Sequence, residues 1–171
     1  LAELARANGY LTAAFTQGYA ISGSFGFTQG FDQYSDGPES GLPVESNGVA
    51  GDLFAQGRAW LDEFGAAPFF LFLHTYEIHA PYVPPDAFHG RFAQGEIGNG
   101  APAAKTTDPA ERERIEALYD EGIAYTDDVL GGFFAYLKNS GLLERTHVII
   151  MSDHGEEFWE HNSVQHSFTL Y

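Results

Sequence analysis

The chain has 171 residues and a hydrophobic content of 44%, which suits one domain folded around a substantial core. Its 24 acidic and 8 basic residues give a net charge of -16, which argues against nucleic acid or an anionic membrane as the main partner. The sequence contains no cysteine, so disulfides, zinc-thiolate sites and an encoded cysteine nucleophile are excluded.

The first part of the chain predicts a helix, a strand and an irregular segment. Residues Leu1 to Asn8 are expected to end a helix, because Gly9 suits the left-handed backbone that often follows one. A short strand from Leu11 to Phe15 comes next. The stretch from Gln17 to Ser46 is rich in glycine, serine and aromatic residues, which predicts a loop with little regular structure.

The middle of the chain predicts a helix followed by a buried strand. Asn47 is a plausible N-cap for a helix from about Val49 to Phe64, whose apolar residues recur at helical spacing. The run from Pro68 to Thr75 is apolar on successive residues, a pattern typical of a strand buried on both faces of a parallel sheet.

A long helix and a last strand complete the predicted elements. The sequence Asp108-Pro109-Ala110-Glu111 has the form of a capping box with proline at the first helical position. An apolar stripe continues from there to Gly141, with a bend expected at Gly131-Gly132. The final strand is expected at about His147 to Met151.

The order of strand, helix, strand, helix and strand predicts an α/β fold with a mostly parallel sheet flanked by helices. Ligands of such sheets bind beyond the carboxyl ends of the strands. The stretches from His74 to His79 and from Asp153 to His166 both follow predicted strands. We therefore expect them to converge on one pocket.

Asp153 and His154 are the sharpest candidates for metal ligands. A carboxylate oxygen and an imidazole nitrogen suit a divalent cation, and Gly155 allows a tight turn beside them. The alternative is an aspartate that caps the next segment beside a hydrogen-bonded histidine.

Further histidines could carry acid-base or anion-binding chemistry. His79 lies in a proline-rich stretch that fixes its backbone, and an imidazole suits a general acid near neutral pH; a surface histidine is the alternative. His166 can offer an N–H to an anionic oxygen, and His161 can do so or support a ligand, while the alternative for both is an exposed loop histidine. His74 fits a satisfied core residue better than a ligand.

The remaining polar candidates favour structural or solvent-exposed roles. His89 and His147 are expected to be structural or exposed, and Asp127 and Asp128 to be solvated or structural. Glu156 and Glu157 are expected at the surface or behind a ligand. The sequence has no GxxxxGK[ST], GxGxxG or GxSxG pattern, so nucleotide-loop and nucleophile-elbow functions lack support.

At these residues the chain resembles the sulfatase family of the alkaline phosphatase superfamily. The similarity follows the chain in order and covers nearly all of it. It rests on Gly9-Tyr10, Gly30-Phe31-Asp32, Phe69 to His74, His79 to Pro85, Tyr119 to Asp127, Gly131, Thr146 to Ser152, Asp153-His154-Gly155-Glu156, His161, His166 and Leu170-Tyr171. The resemblance implies a sulfatase-like fold with residues 1–171 as one partial catalytic domain.

The resemblance also implies roles for individual residues. Asp153 and His154 match the family's metal-binding pair, in which an Asp-His form is found in some sulfatases and in phosphonate or phosphodiester hydrolases. His79 matches the histidine that contacts the substrate ester or protonates the leaving group. His166 matches the position where relatives place a lysine or histidine against the sulfate oxygens, whereas His161 receives no role.

Two family features are missing from the sequence. It contains neither the N-terminal Asp-Asp metal motif nor the C/S-x-P-S/A-R signature whose cysteine or serine becomes formylglycine. Since the chain starts at Leu1 and ends at Tyr171 without a terminating loop, we expect it to be part of a longer protein. It has no signal-peptide pattern, and no apolar run long enough to span a bilayer.

The implied activity is metal-dependent hydrolysis of a small-molecule or glycan sulfate ester by the longer protein. The expected ion is Ca²⁺, with Mn²⁺, Mg²⁺ or Zn²⁺ as alternatives, and two ligands cannot saturate calcium. The chain alone is expected to be inactive.

One alternative to this activity is that of a phosphodiesterase, phosphonate hydrolase or phosphoglycerol-type transferase, where a threonine nucleophile would replace cysteine. Another is a non-catalytic relative that binds anions or carbohydrate. The oligomeric state stays open.

Overall fold

A three-stranded parallel sheet forms the centre of the protein. The computed structural model describes residues 1–17, 19–37, 48–96, 100–103 and 105–166. The strands are β1 (Leu11–Thr16), β2 (Gln33–Ser35) and β3 (Phe69–His74), in the order β2-β1-β3. Both neighbours run parallel to β1, with Thr16 opposite His74 at the carboxyl end. The predicted α/β fold with a parallel sheet is therefore confirmed.

Among the described residues, three α-helices accompany the sheet, at positions close to those predicted. They are α1 (Ala2–Ala7), α2 (Val49–Phe64) and α3 (Pro109–Asn139). After α1 the chain passes through Asn8 to Gly9, which has the expected left-handed backbone with a φ of 82°. Asp108 caps α3 by accepting a hydrogen bond from the Ala110 amide. This helix is continuous across the two glycines where a bend was expected.

The start of α2 is capped by a residue that is distant in sequence. The predicted N-cap, Asn47, lies outside the described residues, and Gly48 takes that position with a φ of 76°. The carboxylate of Glu77 accepts hydrogen bonds from the Gly48 and Ala50 amides, each at 2.9 Å. Because the first amides of a helix have no partner within it, this carboxylate supplies the missing acceptors. It thereby ties the loop after β3 to α2.

Two hydrophobic clusters hold the elements together. The main core packs α2 and α3 against β1 and contains Ala13, Phe15, Leu53, Phe54, Trp60, Leu61, Phe133, Leu137 and Leu142. A second cluster joins the first turns of α3 to the loop after β3 and to a C-terminal hairpin. Its buried members are Tyr82, Ala93, Ile115, Leu118, Trp159 and Val164. The hairpin consists of β4 (Glu157–Phe158) and the antiparallel β5 (Val164–Gln165).

The prediction of a final strand at about His147 to Met151 is wrong. This segment carries no strand pairing, and the side chains of residues 148–151 are between 41% and 82% exposed. An apolar run becomes a strand only where a neighbouring strand accepts its backbone hydrogen bonds, and within the described residues the sheet ends at β3.

Two further expectations for the sheet are corrected. The third strand is β2, which lies in the stretch predicted to be irregular, after short 3₁₀ helices at Tyr19–Ile21 and Gly23–Phe25. The prediction that β3 is buried on both faces is also wrong, because β3 is an edge strand of the described sheet and Phe72 is 41% exposed.

None of the described helices is both long enough and apolar enough to cross a membrane.

Candidate active site

The loop that follows β3 places His79 beyond the carboxyl end of the sheet. The Thr75 hydroxyl donates to Gln17 at 2.8 Å, which anchors the start of the loop to the end of β1. The His79 amide donates to the Tyr76 carbonyl, closing a tight turn at 2.9 Å. The His79 ring nitrogen Nδ1 lies 2.6 Å from the Ala80 carbonyl oxygen. Since a carbonyl only accepts, Nδ1 carries a proton, and Nε2 is the nitrogen directed to other partners.

Asp153 and His154 lie side by side at the end of the exposed segment 147–152. Their side chains are 72% and 45% exposed, and the Asp153 Oδ2 atom lies 3.5 Å from His154 Nε2. The Nδ1 atom of His154 is 2.8 Å from the Gly155 carbonyl oxygen, which fixes the proton there and leaves the Nε2 lone pair for a ligand.

The pair fits two positions in the coordination shell of a divalent ion. Donors that each lie about 2.0 to 2.5 Å from one ion are about 3 to 4 Å apart at ordinary coordination angles. The 3.5 Å separation lies within that range. Among the described residues, however, no group of three or more His, Asp or Glu side chains converges as a metal site. These residues can therefore supply part of a shell only.

The hairpin brings His166 onto the same side as both of these groups. The ring of His166 stacks on that of His154 with 3.9 Å between centroids. It also meets the ring of His79 edge to face at 5.3 Å. The three imidazoles that the sequence indicated as site residues therefore form one continuous cluster with Asp153. The structure brings together all four residues.

Two further residues hold His166: Glu156, which the sequence placed at the surface or behind a ligand, and Tyr82, for which sequence reasoning gave no role. Glu156 accepts a hydrogen bond from His166 Nδ1 at 3.1 Å and one from the Tyr82 hydroxyl at 2.8 Å. Burial, followed by the bond to Glu156, raises the pKa of Tyr82 above its usual range, so the hydroxyl keeps its proton and donates. Of the two positions expected for Glu156, the surface one is wrong, since its side chain is only 7% exposed, and the carboxylate lies instead behind His166. The acidic pair directly after Gly155 was the available signal.

The remaining histidines lie outside the cluster or at its border. The His161 amide donates a hydrogen bond to Glu157, whose side chain is buried. Of the two positions expected for Glu157, at the surface or behind a ligand, the structure therefore excludes the surface. His74 is not a satisfied core residue, because its buried Nδ1 has no hydrogen-bond partner among the described residues. Burial lowers the pKa of His74, although the nearby Asp153 carboxylate acts in the opposite direction. His89 has the expected structural role, in a hydrogen bond to Glu121 at 3.1 Å.

The exposed candidates match the expectation of solvated groups. Asp127 and Asp128 both lie on the solvent side of α3, and His147 is exposed in the unpaired segment before Asp153. These side chains take no part in the imidazole cluster formed by the described residues. They therefore provide matched controls for substitutions within it.

Comparison with known proteins identifies the family of the chain. The Sulfatase family model matches residues 1–169. The chain is also similar to the multifunctional alkaline phosphatase superfamily protein PehA of Trinickia caryophylli, with 30% identity over 131 residues. That alignment covers 56% of this chain and 25% of the relative, so the chain spans about a quarter of the relative's length. Because the family model covers nearly every residue, the chain belongs to the Sulfatase family.

Proposed function

We propose that this chain supplies part of the active site of a metal-dependent hydrolase of sulfate esters. The observation that carries the proposal is the cluster of His79, His154 and His166, with Asp153 beside it, in loops beyond the sheet. Three imidazoles and a carboxylate gathered in loops are typical of a site that binds an ion and an anion.

Each residue of the cluster has a distinct proposed task. Asp153 and His154 would hold a divalent ion, Ca²⁺ in the first instance, and members of this superfamily generally use divalent metals. When bound, such an ion polarises an ester oxygen and offsets negative charge. His79 would give a proton to the departing oxygen, and His166 would donate a hydrogen bond to an oxygen of the sulfate group. We assign no nucleophile within the 171 residues.

Metal binding is tested on the chain itself. Its melting temperature is measured against increasing CaCl₂, MnCl₂ or ZnCl₂ for the wild type, Asp153→Ala and His154→Ala. A ligand that binds only the folded state raises the melting temperature with its concentration, and both substitutions should remove that rise. Asp127→Ala, at an exposed aspartate on α3, is the matched control and should behave as wild type. An equal rise in Asp153→Ala and Asp127→Ala would contradict the proposed ligands.

The role of His79 is tested in the full-length protein. His79→Ala should lower kcat/KM about 10²- to 10⁴-fold, the usual effect of losing a general acid. The loss should be larger for an alkyl sulfate than for 4-nitrophenyl sulfate, because nitrophenolate departs without needing a proton. His147→Ala, at an exposed histidine, is the control. An equal loss for both substrates would assign His79 to binding rather than to proton transfer.

A phosphodiester or phosphonate ester is the second candidate substrate class. It is supported by the description of the relative as multifunctional and by the Asp-His form of the metal pair. Comparing kcat/KM of the full-length protein for 4-nitrophenyl sulfate and bis(4-nitrophenyl) phosphate decides between the two. A clear preference for the phosphodiester would replace the first proposal by the second. If neither ester is hydrolysed and no metal binds, the non-catalytic alternative holds.

A further inference from the structure

Glu156 occupies a specific place between two stretches of the chain that both carry proposed site residues. Its Oε1 atom accepts from His166 Nδ1 at 3.1 Å, and its Oε2 atom accepts from the Tyr82 hydroxyl at 2.8 Å. Tyr82 is 2% exposed and lies only three residues after His79. The carboxylate therefore links the loop of His79 directly to the ring of His166.

We infer that Tyr82 and Glu156 are positioning residues that set the tautomer and orientation of His166. A carboxylate that accepts from Nδ1–H keeps the proton on that nitrogen, so Nε2 becomes the atom available to a substrate oxygen. Tyr82 in turn holds the carboxylate, because its hydroxyl donates to the second oxygen. This inference deepens the proposed function and rests on it for the role of His166.

The neighbouring acid, Glu157, shows how a carboxylate of the same hairpin binds the backbone, although its Oε1 atom also lies 3.7 Å from His161 Nδ1. Glu157 is 2% exposed and accepts from the backbone amides of His161 and Ser163, at 2.9 and 3.2 Å. It thereby holds the turn between β4 and β5. The two hydrogen bonds described for Glu156 go instead to side chains, an imidazole and a phenol. The two adjacent acids thus divide their tasks, one fixing the backbone of the hairpin and the other fixing His166.

The second hydrophobic cluster makes this arrangement rigid. Tyr82 packs edge to face on Tyr119 at 5.4 Å between ring centroids and lies 5.8 Å from the Phe158 ring. The Tyr82 amide donates to the Gly100 carbonyl oxygen at 2.8 Å. A phenol held in this way presents its hydroxyl at a fixed point, so the position of Glu156 is set before any ligand arrives.

The first test uses the chain labelled with ¹⁵N-histidine and reads the His166 tautomer by NMR. Spectra are recorded at about pH 9, where an ordinary imidazole with a pKa of about 6.5 is neutral. The wild type should show the Nδ1–H form at His166. Glu156→Ala should move it to the Nε2–H form or a mixture of both, while Glu156→Gln should keep most of the Nδ1–H form, because its amide oxygen still accepts. Glu160→Ala, at an exposed acid of the same hairpin, is the control.

Tyr82→Phe tests the second link and has a closely matched control. Removing the hydroxyl should loosen the carboxylate and broaden or shift the His166 signals. Tyr119→Phe removes a hydroxyl from the same cluster that has no hydrogen bond to Glu156 among the described residues, and it should leave His166 unchanged. A wild-type His166 tautomer in folded Glu156→Ala, or equal effects of the two tyrosine variants, would overturn the inference.

Kinetics of the full-length protein separate this inference from the proposed function. Glu156→Ala should lower kcat about tenfold to a hundredfold with little change in KM, as for other residues that orient a functional histidine, and Glu156→Gln should restore part of it. Unchanged kcat in Glu156→Ala would refute the positioning role. If the wild type hydrolyses neither ester, the proposed function fails, whereas the NMR experiment still decides whether Glu156 sets the His166 tautomer.

Discussion

Replacing the fully buried Glu121 of α3 should reveal how strongly an internal carboxylate holds the segment before α3. Its Oε1 atom accepts from the Phe92 and Ala93 amides at 2.8 and 2.9 Å, and its Oε2 atom accepts from His89 Nδ1 at 3.1 Å. His89 also donates through Nε2 to the Gly95 carbonyl oxygen at 2.9 Å. The side chain of Glu121 is 0% exposed, so water cannot replace it without opening the structure.

The size of the effect follows from which partners each substitution leaves. Glu121→Ala leaves two amides and one imidazole without their acceptor, at about 1 to 3 kcal/mol for each buried group, so we expect a loss of about 4 kcal/mol. Glu121→Gln keeps the oxygen for both amides. Its NH₂ group can donate to Nδ1 of a neutral His89, whose Nε2–H still reaches Gly95. We expect this variant to lose about 1 kcal/mol at alkaline pH.

The pH dependence provides a sharper signature. The hydrogen bond to the Gly95 carbonyl raises the pKa of His89, and Glu121 also raises it, whereas burial acts in the opposite direction. This stabilisation is complete below the unfolded value of about 6.5 and is lost as the pH rises through the folded pKa. Burial would raise the pKa of Glu121, but the Phe92 and Ala93 amides and His89 together lower it. That contribution is present above the unfolded value of 4.5 and is lost as the pH falls through the folded pKa.

Urea unfolding followed by circular dichroism, at about pH 5.5 and about pH 8.5, measures these effects. These values fall on either side of the ordinary histidine pKa of about 6.5. In the wild type the protonated His89 pairs with Glu121, whereas the uncharged amide in the Glu121→Gln variant favours the neutral ring. The difference in unfolding free energy between wild type and Glu121→Gln should therefore be larger at the lower pH. Equal losses for the alanine and glutamine variants at both pH values would refute this account of the network.

Two further predictions concern the backbone around the site. Glu77→Ala should lower the free energy of unfolding by about 2 kcal/mol, because two amides at the start of α2 lose their acceptor; urea unfolding checks this, and an unchanged midpoint would contradict it. Gly30→Ala should destabilise the chain more than Gly26→Ala. Both glycines have a positive φ, but only at Gly30 would a Cβ lie 2.4 Å from the Glu3 amide nitrogen, while Gly26 has open space. Equal melting temperatures of the two variants would show that α1 moves aside freely.

The helices could be predicted from the sequence because their signals are local. The apolar stripe of α2 and the Asp108-Pro109 start of α3 lie within single elements, and the structure has both helices near their predicted bounds. The strands depend on neighbours. The three residues of β2 carry no apolar run, and they form a strand because they pair with β1 through the backbone. The apolar segment 147–151 has no partner strand among the described residues. A pattern can show that residues are suited to a strand, but only a second strand makes them one.

The site divides in the same way. His79, His154 and His166 could be named because histidine after an apolar run is conspicuous in a sequence. Their mutual distances depend on the second hydrophobic cluster, which no local pattern indicates. The contact between Tyr82 and Glu156 joins positions 74 residues apart, so nothing near either residue in sequence predicts it. Long-range polar pairs of this kind follow from the packing of other elements.

Some of the acidic residues have a structural role inside the protein. Four of the 24 acidic residues, the glutamates at positions 77, 121, 156 and 157, are largely buried. Each accepts at least two hydrogen bonds from backbone amides or side chains. Burying a carboxylate is costly unless donors surround it, so the protein supplies backbone amides and side chains that offset the cost. Asp153, in contrast, is 72% exposed beside His154, so its carboxylate is accessible to a cation. In His79, His154 and His166 a neighbouring oxygen already holds the proton on Nδ1.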